Sequence, residues 1–180
     1  MKTKRFHINI KTIVGIFFVM CLLAEASNIF LKKNYAYMFE NDIKVSESEI
    51  KTTKKTNDGK YVYKILKDKK SIILKSYNCF DEKDVIVPSK IDGYKVIGLD
   101  DSVFACHEEM KSIEIPDSVE KTEMATFGGC TNLKKILFKG DVKQVSKWTF
   151  LDCKGVVVAK NNSNIEKCAK KQGMKVEIEN

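Results

Sequence analysis

The 180-residue chain predicts a solenoid of short parallel strands. Three observations carry this reading. Phe104, Phe127 and Phe150 stand 23 residues apart, and Val96, Val119 and Val142 keep that interval eight residues before each of them. Leu99, Thr122 and Val145 fall five residues before each Phe, and Met110, Leu133 and Val156 six after it, so apolar residues recur in columns at one period. Residues 110–115 and 133–138 share the spacing L-x-x-L-x-L, in which Ile113/Ile115 and Ile136/Phe138 alternate as inward residues of a short strand. A unit of 23 residues is too short to bury its own core, whereas stacked units share one.

The elements follow in order. Lys2, Lys4, Arg5 and Lys11 surround the start of an uncharged apolar run, residues 12–24, and Ala24-Glu25-Ala26 supplies a small-x-small cleavage site. This is the pattern of an export signal cut after Ala26. The run of 13 residues spans roughly 20 Å as a helix, short of a hydrocarbon core of roughly 30 Å, so cleavage is favoured over an uncleaved anchor. A second possible cut follows Ala36, and Met20 is too bulky to make Cys21 a lipoprotein site. Residues 27–59 are polar and read as a flexible spacer ending in the turn Asn57-Asp58-Gly59. Residues 61–66 and 71–75, joined by Lys67-Asp68-Lys69-Lys70, read as a hairpin, and residues 84–88 as a third strand before a turn at Asp92-Gly93.

Within the repeats, Pro116 ends a strand and residues 119–127 turn the chain back. Cys130 and Cys153 fall three residues after a Phe and Cys106 two, one place out of register. The motif I-P-D-S-V-x7-F-x-x-C-x-N-L-x-x-I over residues 115–136 resembles the BspA-type leucine-rich repeats of bacterial surface proteins. Residues 61–96, with the run V-I-V-P-S-K-I-D-G-Y, are similar to the usual N-terminal cap of that family. Residues 163–178 resemble its C-terminal cap: a short helix capped by Asn162 or Ser163, with Glu166 in its first turn, a stop at Gly173, then an edge strand.

The resemblance spans residues 61–178 and implies a leucine-rich-repeat solenoid. Its short parallel β-strands would be joined by irregular or short helical convex connections and flanked by an N-terminal β cap and a C-terminal helix–strand cap. The organisation expected is a signal peptide at 1–26, a spacer at 27–59, an N-terminal cap at 60–95, repeats at 96–159 and a C-terminal cap at 160–180. Thr122 in an aliphatic column, the shifted Cys106, and Ala159 where Ile is expected depart from the pattern.

Loss of residues 1–26 leaves 28 basic and 23 acidic residues and no arginine. Lysine attracts polyanions but lacks the planar fork that reads guanine edges, so a nucleic-acid partner is not expected. The remaining lysine runs are scattered and read as solvated surface. Five cysteines remain once Cys21 leaves, an odd number that cannot fully pair within one chain. A disulfide, a metal site and a reactive thiol are open readings; a buried small-residue column repeating with the solenoid is the favoured one. Adjacent members of such a column lie near the strand spacing of about 4.7–4.9 Å. No C-x-x-C is present, which argues against zinc. Cys106-His107-Glu108-Glu109 gathers a thiol, an imidazole and carboxylates, but sequence neighbours rarely face one another, so it reads as a solvated turn. Gly128-Gly129 lacks the Lys-Ser/Thr of a phosphate loop and reads as a turn, and Trp148 reads as packed in a convex connection.

No catalytic residue, metal ligand or cofactor is therefore expected. The expected function is non-catalytic binding or adhesion to an extracellular protein or glycan, by a protein secreted from or displayed on a bacterial cell. Membrane contact would come only through an uncleaved N-terminal segment. The alternative is a structural scaffold or truncated repeat remnant without its own ligand. The expected binding positions are the outward strand residues Asp84, Ile86, Ser112, Glu114, Lys135 and Leu137, two of them apolar where water should be.

Overall fold

The computed structural model describes residues 52–179, so the signal peptide and most of the spacer lie outside the described residues. The strands are β1 (Thr53–Lys55), β2 (Tyr61–Ile65), β3 (Ser71–Tyr77), β4 (Asp84–Ile86), β5 (Lys90–Ile91), β6 (Tyr94–Leu99), β7 (Ser112–Ile115), β8 (Lys121–Thr122), β9 (Lys135–Phe138), β10 (Gln144–Val145), β11 (Val156–Ala159) and β12 (Lys175–Ile178). One helix, α1 (Asn164–Lys171), lies between β11 and β12. A parallel five-stranded sheet runs β12-β11-β9-β7-β4. A second sheet runs β1-β2-β3-β6-β8-β10, antiparallel across β1, β2 and β3 and parallel thereafter, with β5 paired to β6. The chain alternates between the two sheets, β3 to β4, β6 to β7, β8 to β9 and β10 to β11. In the fifth turn α1 stands where a strand of the second sheet would be, and leads into β12. Each turn thus contributes one strand to the five-stranded sheet, and both sheets send apolar residues into one core.

The corners between the sheets carry an aromatic column. Tyr77, Phe104, Phe127 and Phe150 stack along the solenoid with ring centroids 5.3, 5.8 and 5.8 Å apart, the three Phe rings within 9° of parallel. Backbone bonds run beside them at the repeat interval: Phe104 N–H donates to the Thr126 carbonyl (3.0 Å) and Phe127 N–H to that of Thr149 (3.1 Å). Phe150 N–H donates instead to the side-chain Oε1 of Gln172, the residue after α1 (3.1 Å). Thr126 and Thr149, one place before each Phe, donate their hydroxyls to the carbonyls of Glu123 (2.7 Å) and Ser146 (2.8 Å). Thr122 is satisfied in its aliphatic column because its hydroxyl meets that of Thr149 at 3.1 Å. Helix α1 starts as its sequence predicts: Ser163 is the N-cap and accepts from Glu166 N–H, while the Glu166 carboxylate accepts from Asn162 N–H.

The position two residues after each Phe is left-handed in every repeat: Cys106 (φ 58°), Gly129 (70°) and Asp152 (56°). Cys106 therefore belongs to this turn column and not to the cysteine column. The place three after Phe holds His107, Cys130 and Cys153, and each side chain bonds the carbonyl of the aromatic residue one turn back. Cys130 Sγ donates to Phe104 O (3.0 Å), Cys153 Sγ to Phe127 O (2.8 Å), and His107 Nε2 lies 3.1 Å from Tyr77 O. This corrects the expectation of a solvated turn at 106–109. His107 is 2% exposed, with its other ring nitrogen 3.0 Å from the Ala105 carbonyl and its ring stacked on Phe80 at 4.4 Å.

Three further differences from the sequence reading appear. Residues 53–55, placed in the spacer, form β1 against β2, closed by Thr56 N–H to Tyr61 O (3.0 Å) and Gly59 N–H to Thr56 O (2.9 Å). Trp148 is 44% exposed rather than packed, with Lys147 Nζ 5.4 Å from its ring centroid. The last repeat is also shorter. Ser112 pairs with Lys135, 23 residues on, but Lys135 pairs with Val156, only 21 on. Val156 therefore leaves the Met110/Leu133 core column and turns outward, half-buried, while Val157 joins Ile113 and Ile136, and Ala159 takes the Phe138 register. Gly155 permits the shortcut: a Cβ there would stand 2.5 Å from Leu133 O. The other core positions, Val96, Val119, Val142, Met110, Leu133, Ile115 and the Phe and Ile columns, are buried; Cys153 is half-buried.

Phe127 touches rings on both sides, so Phe127→Ala should lower unfolding free energy by about 3–5 kcal/mol, and Gly155→Ala by about 1–3 kcal/mol through its backbone clash; urea titration reads both. A loss below about 1 kcal/mol at Phe127 would mean that the column does not hold the turns together. Burial holds His107 below its ordinary value of 6.5, against the opposing pull of the nearby carbonyls. The unfolded chain therefore takes up a proton below about pH 6.5 that the folded chain refuses, and stability falls as pH drops through that value. The melting temperature of the native protein should fall between pH 7 and 5 by more than that of a His107→Gln variant. Equal slopes would show that the imidazole binds its proton equally well in the folded and unfolded chain.

Candidate binding face

On the five-stranded sheet the alternation of each strand sets two outward rows either side of an inward one. The inward row, Val85, Ile113, Ile136, Val157 and Val176, is in register across all five strands. The first outward row is Asp84, Ser112, Lys135, Val156 and Lys175; the second is Ile86, Glu114, Leu137, Val158 and Glu177. All six positions expected from sequence thus lie on one face in two adjacent rows. Asp84, Ile86 and Lys135 are exposed, and Ser112, Glu114 and Leu137 half-buried.

The polar members are partly paired with one another. The Ser112 hydroxyl donates to Asp84 Oδ1 at 2.6 Å, bridging β7 to β4. Glu114 forms an ion pair with Lys139, whose ammonium is held above its ordinary value chiefly by that bond. Ile86 on the edge strand β4 is 67% exposed. At the other end Leu137, Val156 and Val158 come together on β9 and β11, Val158 buried and the other two half-buried. Val156 is absent from the sequence-derived face because the 23-residue period places it in the Leu133 core column, while Val158 falls beside Lys135 by that period and beside Leu137 in the structure. The sequence signal for this is the shortened connection at Gly155: two residues separate Cys153 from Val156 where four separate Cys130 from Lys135.

The face is set on a stiff base. Its strands are short, their inward residues are buried on β4, β7, β9 and β11 and half-buried on β12, and the turns feeding them are tied by Lys134 N–H to Lys111 O (2.8 Å) and Val156 N–H to Lys134 O (2.8 Å). Among the described residues, no group of three or more His, Cys, Asp or Glu side chains is placed to hold a metal ion. Also among the described residues, no helix is long and apolar enough to cross a membrane.

Three solved structures are similar to the chain. A leucine rich cell surface protein from Faecalibacterium prausnitzii A2-165 is 21% identical with a TM-score of 0.48, over 57% of this chain and 32% of its own. The chain thus spans about a third of the length of that protein. A leucine-rich repeat protein from Bacteroides capillosus is 16% identical with a TM-score of 0.48, over 72% of this chain and 99% of its own. A leucine rich repeat protein from T. pallidum is 18% identical with a TM-score of 0.41, over 69% of this chain and 81% of its own. No curated protein matches the chain. The family model described as the BspA type leucine rich repeat region (6 copies) matches residues 97–172, from β6 through α1. The stacked turns, one parallel strand per turn and the corner column of Phe residues agree with that match: residues 97–172 are similar to the BspA type leucine rich repeat region.

Proposed function

We propose that the chain is a non-catalytic binding module, exported from a bacterial cell, that takes an extracellular protein or glycan on the outward face of its five-stranded sheet. The observation that carries this reading is the apolar surface on that face: Leu137 and Val156 at one end, and Ile86, 67% exposed, at the other. Apolar side chains aligned on the solvent side of a sheet gain from being covered. The strands beneath them are already ordered, so little conformational entropy is lost when a partner docks. The polar members Asp84, Ser112, Lys135 and Glu114 between and beside the apolar ones supply hydrogen-bonding groups suited to a peptide backbone or sugar hydroxyls. Export is supported by the pattern of residues 1–26 and by the bacterial surface proteins in which repeats of this type occur.

Immobilised extracellular-matrix proteins and a glycan array, probed with the folded protein, test the reading. For whatever ligand is captured, Leu137→Asp combined with Val156→Asp should weaken affinity by about tenfold or more. Lys54→Glu on β1, away from this sheet, should leave affinity unchanged. A double variant that keeps its circular-dichroism spectrum and binds as tightly as the native protein would remove this face from consideration.

A further inference from the structure

We infer that Cys130 and Cys153 are a redox-active pair that closes into a disulfide bridging two consecutive turns of the solenoid. They occupy the same place, three residues after Phe127 and Phe150, in turns joined by Phe127 N–H to Thr149 O (3.1 Å) and Gly129 N–H to Leu151 O (3.0 Å). Neighbouring turns of a parallel stack lie about 4.8 Å apart, within the roughly 4.4–6.8 Å between Cα atoms that a disulfide spans. The Cys153 sulfur leans back toward the turn that holds Cys130, since it reaches Phe127 O at 2.8 Å. Both are free thiols, neither in a disulfide. The remaining described cysteines occupy other places: His107 takes the column place one turn earlier, Cys106 sits in the left-handed turn before it, Cys79 follows β3 and is half-buried, and Cys168 bonds the Ser146 carbonyl at 3.3 Å.

The two sulfurs differ in access. Cys130 is buried, whereas Cys153 is half-buried, so Cys153 is the one placed to meet an oxidant first. With oxidised glutathione as the oxidant, Cys153 loses its proton and its sulfur attacks one glutathione sulfur. A mixed disulfide forms and one glutathione thiolate leaves. Cys130, deprotonated, then attacks the Cys153 sulfur, the Cys130–Cys153 bond forms, and the second glutathione leaves. The two cysteine thiols give up two electrons and two protons, and one glutathione disulfide becomes two thiols. Interaction with the Cys153 side chain holds the Cys130 thiol below its ordinary value against the opposing effect of burial, which suits a resolving thiolate. The same interaction, with burial, holds Cys153 above its ordinary value, so its attack quickens as pH rises. The bridge would clamp together the turns leading into β9 and β11, the strands that carry Leu137, Val156 and Val158.

The full chain, equilibrated natively at graded ratios of oxidised to reduced glutathione, alkylated and mapped by peptide mass spectrometry, decides the matter. The expected result is a thiol titre lower by two, a mass lower by about 2 Da, a cross-linked peptide joining Cys130 to Cys153, and a higher melting temperature. Cys130→Ser should instead accumulate a glutathione adduct on Cys153. Alkylation of both thiols at the most oxidising ratio would overturn the assignment, as would a cross-link between other cysteines or one that forms only in denaturant. Because the map of the native protein alone decides between these outcomes, failure of a serine variant to fold leaves the test intact.

Discussion

The spacing of one turn from the next, set by the corner column, is the constraint on which the rest of the molecule depends. Parallel strands must lie about 4.8 Å apart to exchange backbone hydrogen bonds. Stacked aromatic rings accept a centroid separation somewhat larger than that if they are offset. Tyr77, Phe104, Phe127 and Phe150 meet both demands at 5.3–5.8 Å, with the Phe rings nearly parallel. A turn that kept its Phe but lost its neighbour would leave one ring face and a row of backbone donors without partners. No single unit can be folded alone, and the column must begin and end on something different. It begins on a tyrosine within the hairpin and ends where Gln172, after α1, offers a side-chain oxygen to the last Phe N–H.

The same constraint explains why a small change in loop length alters the surface. The corner residues of the third repeat stay in step with those of the second, because ring stacking and the Phe127–Thr149 backbone bond hold them there. The strand that follows must also stay in step with β9. When the connection loses two residues, both conditions can be met only if the chain cuts across the corner, and Gly155 is the residue able to pass so close to the Leu133 carbonyl. The strand then enters at Val156 instead of a lysine, and the parity of the pleat puts Val156 and Val158 on the outward side. The place of Val156 at the apolar end of the face is thus a consequence of the shortened corner.

What could be read in the sequence was what repeats. The Phe column, the Ile113/Ile136 alternation, the hairpin of residues 61–75 and the cap of α1 each rest on a local rule that the structure obeys. What escaped was where the repeat is broken or filled by a different chemistry. His107 serves the same purpose as Cys130 and Cys153, reaching back to a carbonyl from a buried site, but its residue type suggested solvent or catalysis and concealed its register. Cys106 matched a cysteine column by type while belonging by position to the left-handed turn. The polar run of residues 53–55 holds no apolar alternation, and its strand exists because β2 presents an open edge to pair with. Trp148, large and apolar, suggested packing, but it occupies the same place as Ser102 and Ala125, where the chain turns.

The charged surface illustrates which interactions set stability and which merely accompany it. Ion pairs link successive turns, Lys143 to Glu120 at 2.8 Å and Lys75 to Asp100 among them, at spacings that follow the repeat. Their side chains are between one-fifth and seven-tenths exposed. A pair of this kind is worth about 0–1 kcal/mol and is screened by salt. Each enclosed Phe in the column contributes about 1.5–3 kcal/mol from burial, before any gain from stacking. The lysines can therefore vary along the solenoid without loosening it, provided they stay solvated. The net positive charge of the chain is then a property of its surface, and the cohesion of its turns belongs to the aromatic column and the carbonyl-seeking side chains beside it.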